Sequence, residues 1–394
     1  MKKLLFTTLL ALIVTGCEKE SNADSGGVTL GTFTGDLNIN SQSSLDAAIA
    51  DGTYINAIGG NLVVSTGGST GLTVGDVEYI SSQINSVGGD VTINTPDGSL
   101  NLSELSSVGG NYSIQGSDAN DDKLLTVDGD ITLNYEGDYS MPNLTSAGGI
   151  IITPIGSSTA SKKAKGMVIN LSLPVLAFCG SFGVARAAAG AGVAGVAASP
   201  AIDFTSFIDN PIGLIDLGPG ILIEELVAPY ATEIILKNPE PLTKLNILAP
   251  LAKKVELATK AVSGKVDIQT STATDSTVSA PDLATVEGDV AITCGSADLN
   301  NLTVIQGNCA VTATAISANN ITSVTGNLSI SSDDVSMPTL ETVGGNVTVT
   351  GTNSETTADI VDFANLSNVG GETEIEADDV NLNTGQPHNS GGNG

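Results

Sequence analysis

The chain has one histidine, His388, one arginine, Arg186, no tryptophan, and aromatics at only 3% of its 394 residues. Each scarcity closes a class of function. A single histidine near the C-terminus can build neither a histidine-based catalytic triad nor the usual zinc site. So few cations leave little for the charge-stabilised chemistry of a polysaccharide lyase, and so few aromatics leave little for stacking sugars in a cleft. The sequence reads as a non-enzyme. Removal of residues 1–16, with Lys2 and Lys3, leaves 12 cations against 43 acids, a formal charge of −31. Nucleic acid and anionic lipid surfaces are disfavoured partners for such a body; solubility alone accounts for much of the acidity.

What is present is repetition. The stretch Val343-Gly344-Gly345-Asn346-Val347-Thr348-Val349 has copies at Gly35-Asp36-Leu37, Gly60-Asn61-Leu62, Gly89-Asp90-Val91, Gly110-Asn111-Tyr112, Gly129-Asp130-Ile131, Gly288-Asp289-Val290, Gly307-Asn308-Cys309, Gly326-Asn327-Leu328 and Gly371-Glu372-Thr373. Positions 90, 111 and 130 are 21 and 19 apart, and 289, 308, 327 and 346 are 19 apart three times running. A fixed period of this size marks stacked coils. Within each copy apolar and polar residues alternate, so each reads as a short strand with one buried face. The glycine pair is expected to supply a tight corner with positive φ.

A second signature fixes the register. Met337-Pro338-Thr339-Leu340 and Ala280-Pro281-Asp282-Leu283 place proline eight residues before the Asn or Asp of the next copy. Met141-Pro142-Asn143-Leu144 and Leu173-Pro174-Val175-Leu176 stand in the same relation to Ile150 and Phe182. Proline cannot donate to a ladder and belongs at a corner, so each coil has at least two sides. The reading is an all-β repeat protein: one elongated right-handed β-solenoid of ~19–21-residue coils over residues 29–385. Its regular parts span 29–155 and 257–382, with irregular coils over 156–256, where a separate inserted subdomain is the alternative. Ser44 before Leu45-Asp46-Ala47-Ala48-Ile49 reads as the cap of a short helix covering the first coil.

The opening, Gly35-Asp36-Leu37-Asn38-Ile39 through Asp46 followed by Ile58-Gly59-Gly60-Asn61-Leu62, resembles the receptor L-domain and leucine-rich-repeat-like β-solenoids of Bacteroidetes surface lipoproteins. That resemblance implies surface exposure and binding or adhesion, and it carries no catalytic residues.

Met1-Lys2-Lys3 and the apolar run Leu4–Val14 have the form of a signal peptide, 1–16. The run ends in Val14-Thr15-Gly16-Cys17, which is similar to a bacterial lipobox; Cys17 is then the lipidated first residue. Glu18-Lys19-Glu20 resembles the short charged signal that moves lipoproteins to the outer face of the outer membrane. Residues 17–28 read as a flexible tether and 386–394 as an unstructured tail. Lys162, Lys163 and Lys165 form a small basic loop, and Gly183–Ser199 is rich in Ala, Gly and Val but unsuited to span a membrane.

Three further readings concern sites. Asp118, Asn120 and Asp122 offer oxygens at alternate positions, as a calcium loop requires, although Lys123 stands where an EF-hand has glycine; a solvated inter-strand loop is the simpler reading. The outward residues Asp90, Thr92, Asn94, Asn111, Ser113, Gln115, Asp130, Thr132, Asn134, Asn346, Thr348 and Thr350 form polar ladders suited to a repetitive ligand such as a glycan or ice, or merely to an exposed sheet. Cys294, Cys309 and Cys179 fall in apolar columns and are expected to be reduced core residues, with Cys294 and Cys309 four residues out of column. The function expected is a cell-surface binding or adhesion lipoprotein with a glycan or protein ligand. A structural matrix component without a ligand is the alternative, and a carbohydrate-active enzyme comes third. No cofactor is expected beyond calcium.

Overall fold

The computed structural model describes residues 30–50, 54–67, 70–95, 100, 102–116, 119–135, 139–154, 169–173, 176, 178–179, 182–184, 201–204, 212–219, 221–238, 242–352, 357–382 and 389–390. The signal peptide, Cys17, the tether, the lysine loop and most of the small-residue run lie outside them.

The chain forms a parallel β-solenoid of about 13 turns. Each regular coil has three sides, in keeping with the expected minimum of two, as the coil starting at Val290 illustrates. Val290–Thr293 is the first side, Ser296–Asp298 the second and Val304–Ile305 the third. Each pairs in register with its counterpart one coil on: Val290 with Cys309, Ser296 with Ala315, Val304 with Ser323. Alternation then sends Val290, Ile292, Cys294, Ala297, Leu299, Leu302 and Ile305 inward, and all are buried. Stacking merges these columns into one continuous core, because no coil can bury its own apolar face alone. The turn Pro281-Asp282 separates second from third side, where a missing N–H costs nothing.

The glycine corners work differently from the expectation. Gly129 and Gly326 lie outside the left-handed region of φ; instead a Cβ on either would come 2.6 Å from the side-chain Oδ1 of Asn111 or Asn308 in the coil before. Glycine stands there for close approach, and among the described residues the glycines with positive φ are Gly67 and Gly71.

The first two coils are longer because a helix replaces the strand on the second side. Gln42–Ala50 is the expected helix, with Leu45 buried beneath it, but it begins before Ser44, whose N–H donates to Ser41 Oγ at 3.3 Å, so Ser41 and not Ser44 stands at its start. Val74–Ser81 was not legible from the repeat; it is started by Thr73, whose N–H and hydroxyl both donate to Asp76 Oδ2 at 2.7 Å. A helix advances ~1.5 Å per residue against ~3.3 Å for a strand, so the same side consumes more residues. This accounts for the 25- and 29-residue spacing of Asp36, Asn61 and Asp90.

The middle is more regular than its sequence. Phe182 pairs with Ile150, as the proline offset requires, and Leu171–Leu173 pair with Ile215–Leu217, which pair with Ile234–Leu236 and onward with Val255–Leu257. The described residues of the middle therefore continue the same ladders, and regular coils resume near residue 221 rather than 257. At the C-terminus Asn389–Ser390, within the tail expected to be unstructured, pair with Glu374–Ile375.

Candidate binding face

The first side begins at the Asn or Asp after each glycine corner, and those residues are committed to the fold. Oδ1 of Asp36, Asn61, Asp90 and Asn111 accepts the backbone N–H of Asn61, Asp90, Asn111 and Asp130 in turn, at 2.7–2.9 Å. Asp289, Asn308, Asn327 and Asn346 repeat the pattern into Glu372. Of the outward residues singled out from sequence, Asp90, Asn111 and Asn346 thus spend their side chains on a structural ladder along one edge of the face, and Asp130 joins it through its backbone N–H. In the N-terminal half Asp and Asn alternate strictly, so no two carboxylates are stacked at the ~4.8 Å coil spacing.

Beyond that ladder lie two outward columns. Asn38, Val63, Thr92, Ser113, Thr132 and Ile151 pair in succession, as do Ser65, Asn94, Gln115, Asn134 and Thr153. In the C-terminal half the columns are Ala291, Ala310, Ser329, Thr348 and Thr293, Thr312, Ser331, Thr350. Over residues 38–153 and 291–350 these columns carry no charge, in a chain with a formal charge of −29, whereas the C-terminal inner column is bounded by Asp267 before Ala291 and Glu374 after Thr348. The second side differs: Lys254 and Glu256, then Asp298, Asp334, Asp362 and Asp379 stand along it. The first side therefore offers hydroxyls, amides and methyls on a flat grid, ~4.8 Å between coils and ~6.6 Å along a strand. Such a grid can hydrogen-bond and pack against a neutral surface.

The remaining candidates fall away from this face. Asp118 lies outside the described residues, Asn120 is in a two-residue strand, and Asp122 is exposed on the following turn. Among the described residues no group of three or more His, Cys, Asp or Glu is gathered to hold a cation. Cys294 and Cys309 are free and buried, and burial pushes both thiols up to about 12. Cys309 stands between Val290 and Leu328, as its column requires. Cys179 pairs with Ala147 on the third side.

One functional-looking residue escaped the sequence reading. Asp121 is fully buried in the column of Leu102 and Met141, where Ala280, Leu299, Ala318 and Met337 of later coils are apolar as well. Tyr112, buried on the first side, donates its hydroxyl to Asp121 Oδ2 at 2.6 Å, while Oδ1 has no partner. Desolvation, countered in part by the Tyr112 hydrogen bond and reinforced by Asp122, raises the Asp121 carboxyl to about 7. The signal was present in the sequence: aligning the X-Pro-x-Leu columns puts an acid where Met141, Ala280 and Met337 stand.

Comparison of the chain with protein families, with curated proteins and with solved structures finds no match.

Proposed function

We propose that the chain is a lipid-anchored protein of the bacterial outer surface, of the L-domain-like lipoprotein type, that binds a neutral glycan through the first side of its solenoid. The observation that carries this reading is the absence of charge from the two outward columns over residues 38–153 and 291–350 of a strongly acidic chain, the carboxylates of this side standing in the edge ladder and at Asp267 and Glu374. Solubility favours acids on every exposed surface, so columns kept free of them over several coils point to a neutral partner. The flatness of the face and the lack of tryptophan favour an extended ligand lying across several coils over a single sugar enclosed in a cleft. The lipobox-like Val14-Thr15-Gly16-Cys17 supports the anchor.

A glycan array probed with the purified protein, and then with Thr312→Lys and Thr348→Lys, tests the proposal. Retention of a neutral glycan by the wild type and its loss in both variants is expected. Retention of nothing would leave a structural component; release of cleaved products would make the chain an enzyme; unchanged binding by both variants would place the ligand elsewhere.

A further inference from the structure

The formal charge is distributed unevenly. Between residues 221 and 269 six lysines face six carboxylates, so the whole charge of −29 lies outside this stretch. Four of the lysines are tied to nearby acids: Lys244 to Glu225, Lys254 to Glu233 at 2.9 Å, Lys265 to Asp267 at 2.7 Å and Lys253 to Asp275, just beyond the stretch, at 2.7 Å. The solenoid thus has a neutral belt between two acidic ends.

The same belt carries exposed apolar side chains. Leu222, Leu248 and Leu251 are 51%, 40% and 55% exposed, half of the large hydrophobics that stand exposed among the described residues. They border one side. Leu248 lies in register with Val227 on the outer face of the first side. Leu251 occupies the turn that follows, and Leu222 the corner before the preceding strand. Leu248 and Leu251, three residues apart at the same end of this side and with charges of both signs nearby, have the composition of an interaction site.

We propose that this belt is where two copies of the chain associate, crossing at their waists with the acidic ends held apart. The second copy is favoured by charge. Two copies of a chain of this charge repel each other where their acidic ends approach, within the ~8 Å reach that physiological salt allows. At the belt two copies can meet without stacking like charges, and exposed leucines stand there as well. There Leu248 and Leu251 of each copy leave water, and the lysine–carboxylate pairs form the polar rim.

Sedimentation equilibrium of the full chain carrying Cys17→Ala, over a wide concentration range, tests the proposal. A dimer is expected that tightens as salt screens the acidic ends. The double variant Leu248→Glu, Leu251→Glu should weaken it on the order of tenfold or more, while Leu125→Glu, an exposed leucine outside the belt, should leave it unchanged. Both altered leucines are exposed, so circular dichroism should report the wild-type fold. A wild type that stays monomeric at all concentrations overturns the proposal, including the case where hydrogen exchange shows 245–251 covered by another part of the same chain. So does a dimer that the double variant leaves intact, or one that loosens with salt.

Discussion

Asp121 sets the pH behaviour of the N-terminal half. Its carboxyl ionises near 3.8 in the unfolded chain and near 7 in the folded one, because Leu102 and Met141 above and below it offer no solvation and Tyr112 supplies a single donor. A folded pKa above the unfolded one means that the folded state holds the proton more tightly. The contribution is fully present below about 3.8 and is lost as pH rises through about 7, a change on the order of 4 kcal/mol over that window. Asp121→Asn keeps the shape and a neutral side chain at every pH. The difference in melting temperature between wild type and variant, measured from pH 4 to pH 8, should therefore swing in favour of the variant as pH rises. A constant difference would mean that Asp121 is solvated or paired. Column position alone reveals such a residue: the acid breaks an otherwise apolar file, but which atom meets it across the core depends on Tyr112 pointing inward, a tertiary fact.

At the scale of the strand, register decides everything, since shifting a strand by one residue exchanges its faces. Leu328 and Val347 are paired and buried, and Ser329 and Thr348 are paired on the outside. Val347→Asp would leave a carboxylate unpaired in the core, at a cost of about 3–5 kcal/mol, and should melt the C-terminal coils early. Thr348→Asp, one residue away, should change the melting temperature little. Calorimetry on the two variants checks the register, and equal melting would show it to be wrong. The strands and their register were legible because a 19-residue period repeats one pattern of apolar positions, and proline offsets carried it to Phe182 in the degenerate middle. The third side was hidden by its brevity: two residues such as Val304-Ile305 make no period. Val74–Ser81 was hidden because its Thr73–Asp76 capping pair departs from the usual Glu or Gln and sits between two repeats. The corner glycines were recognised for the wrong reason, since sequence shows that a side chain is forbidden but not what it would strike. Of the candidate face, the outward Thr and Ser positions were read correctly, while the Asn and Asp beside them turned out to be bound to the next coil.

At the scale of the whole molecule the two ends differ. The first coils carry the helix Gln42–Ala50, whereas at the other end Val380 remains 36% exposed in the last long strand, Ala377–Leu382. Asp378 and Asp379 in that strand discourage a further strand from adding on. Under the proposed anchoring, Cys17→Ala should move the protein from the membrane fraction to the soluble one with its melting temperature unchanged; a variant still bound to membranes would sink the anchor.

The direction of the ladders between coils has a mechanical consequence. Their hydrogen bonds run along the stack, so tension between a tethered N-terminus and a ligand held farther along would load one coil at a time and peel it from the next. Each regular coil let go would add 19 residues of slack, roughly 60 Å of extended chain. If the proposed anchor and ligand hold its two ends, such a solenoid would yield by lengthening in steps instead of letting go at once.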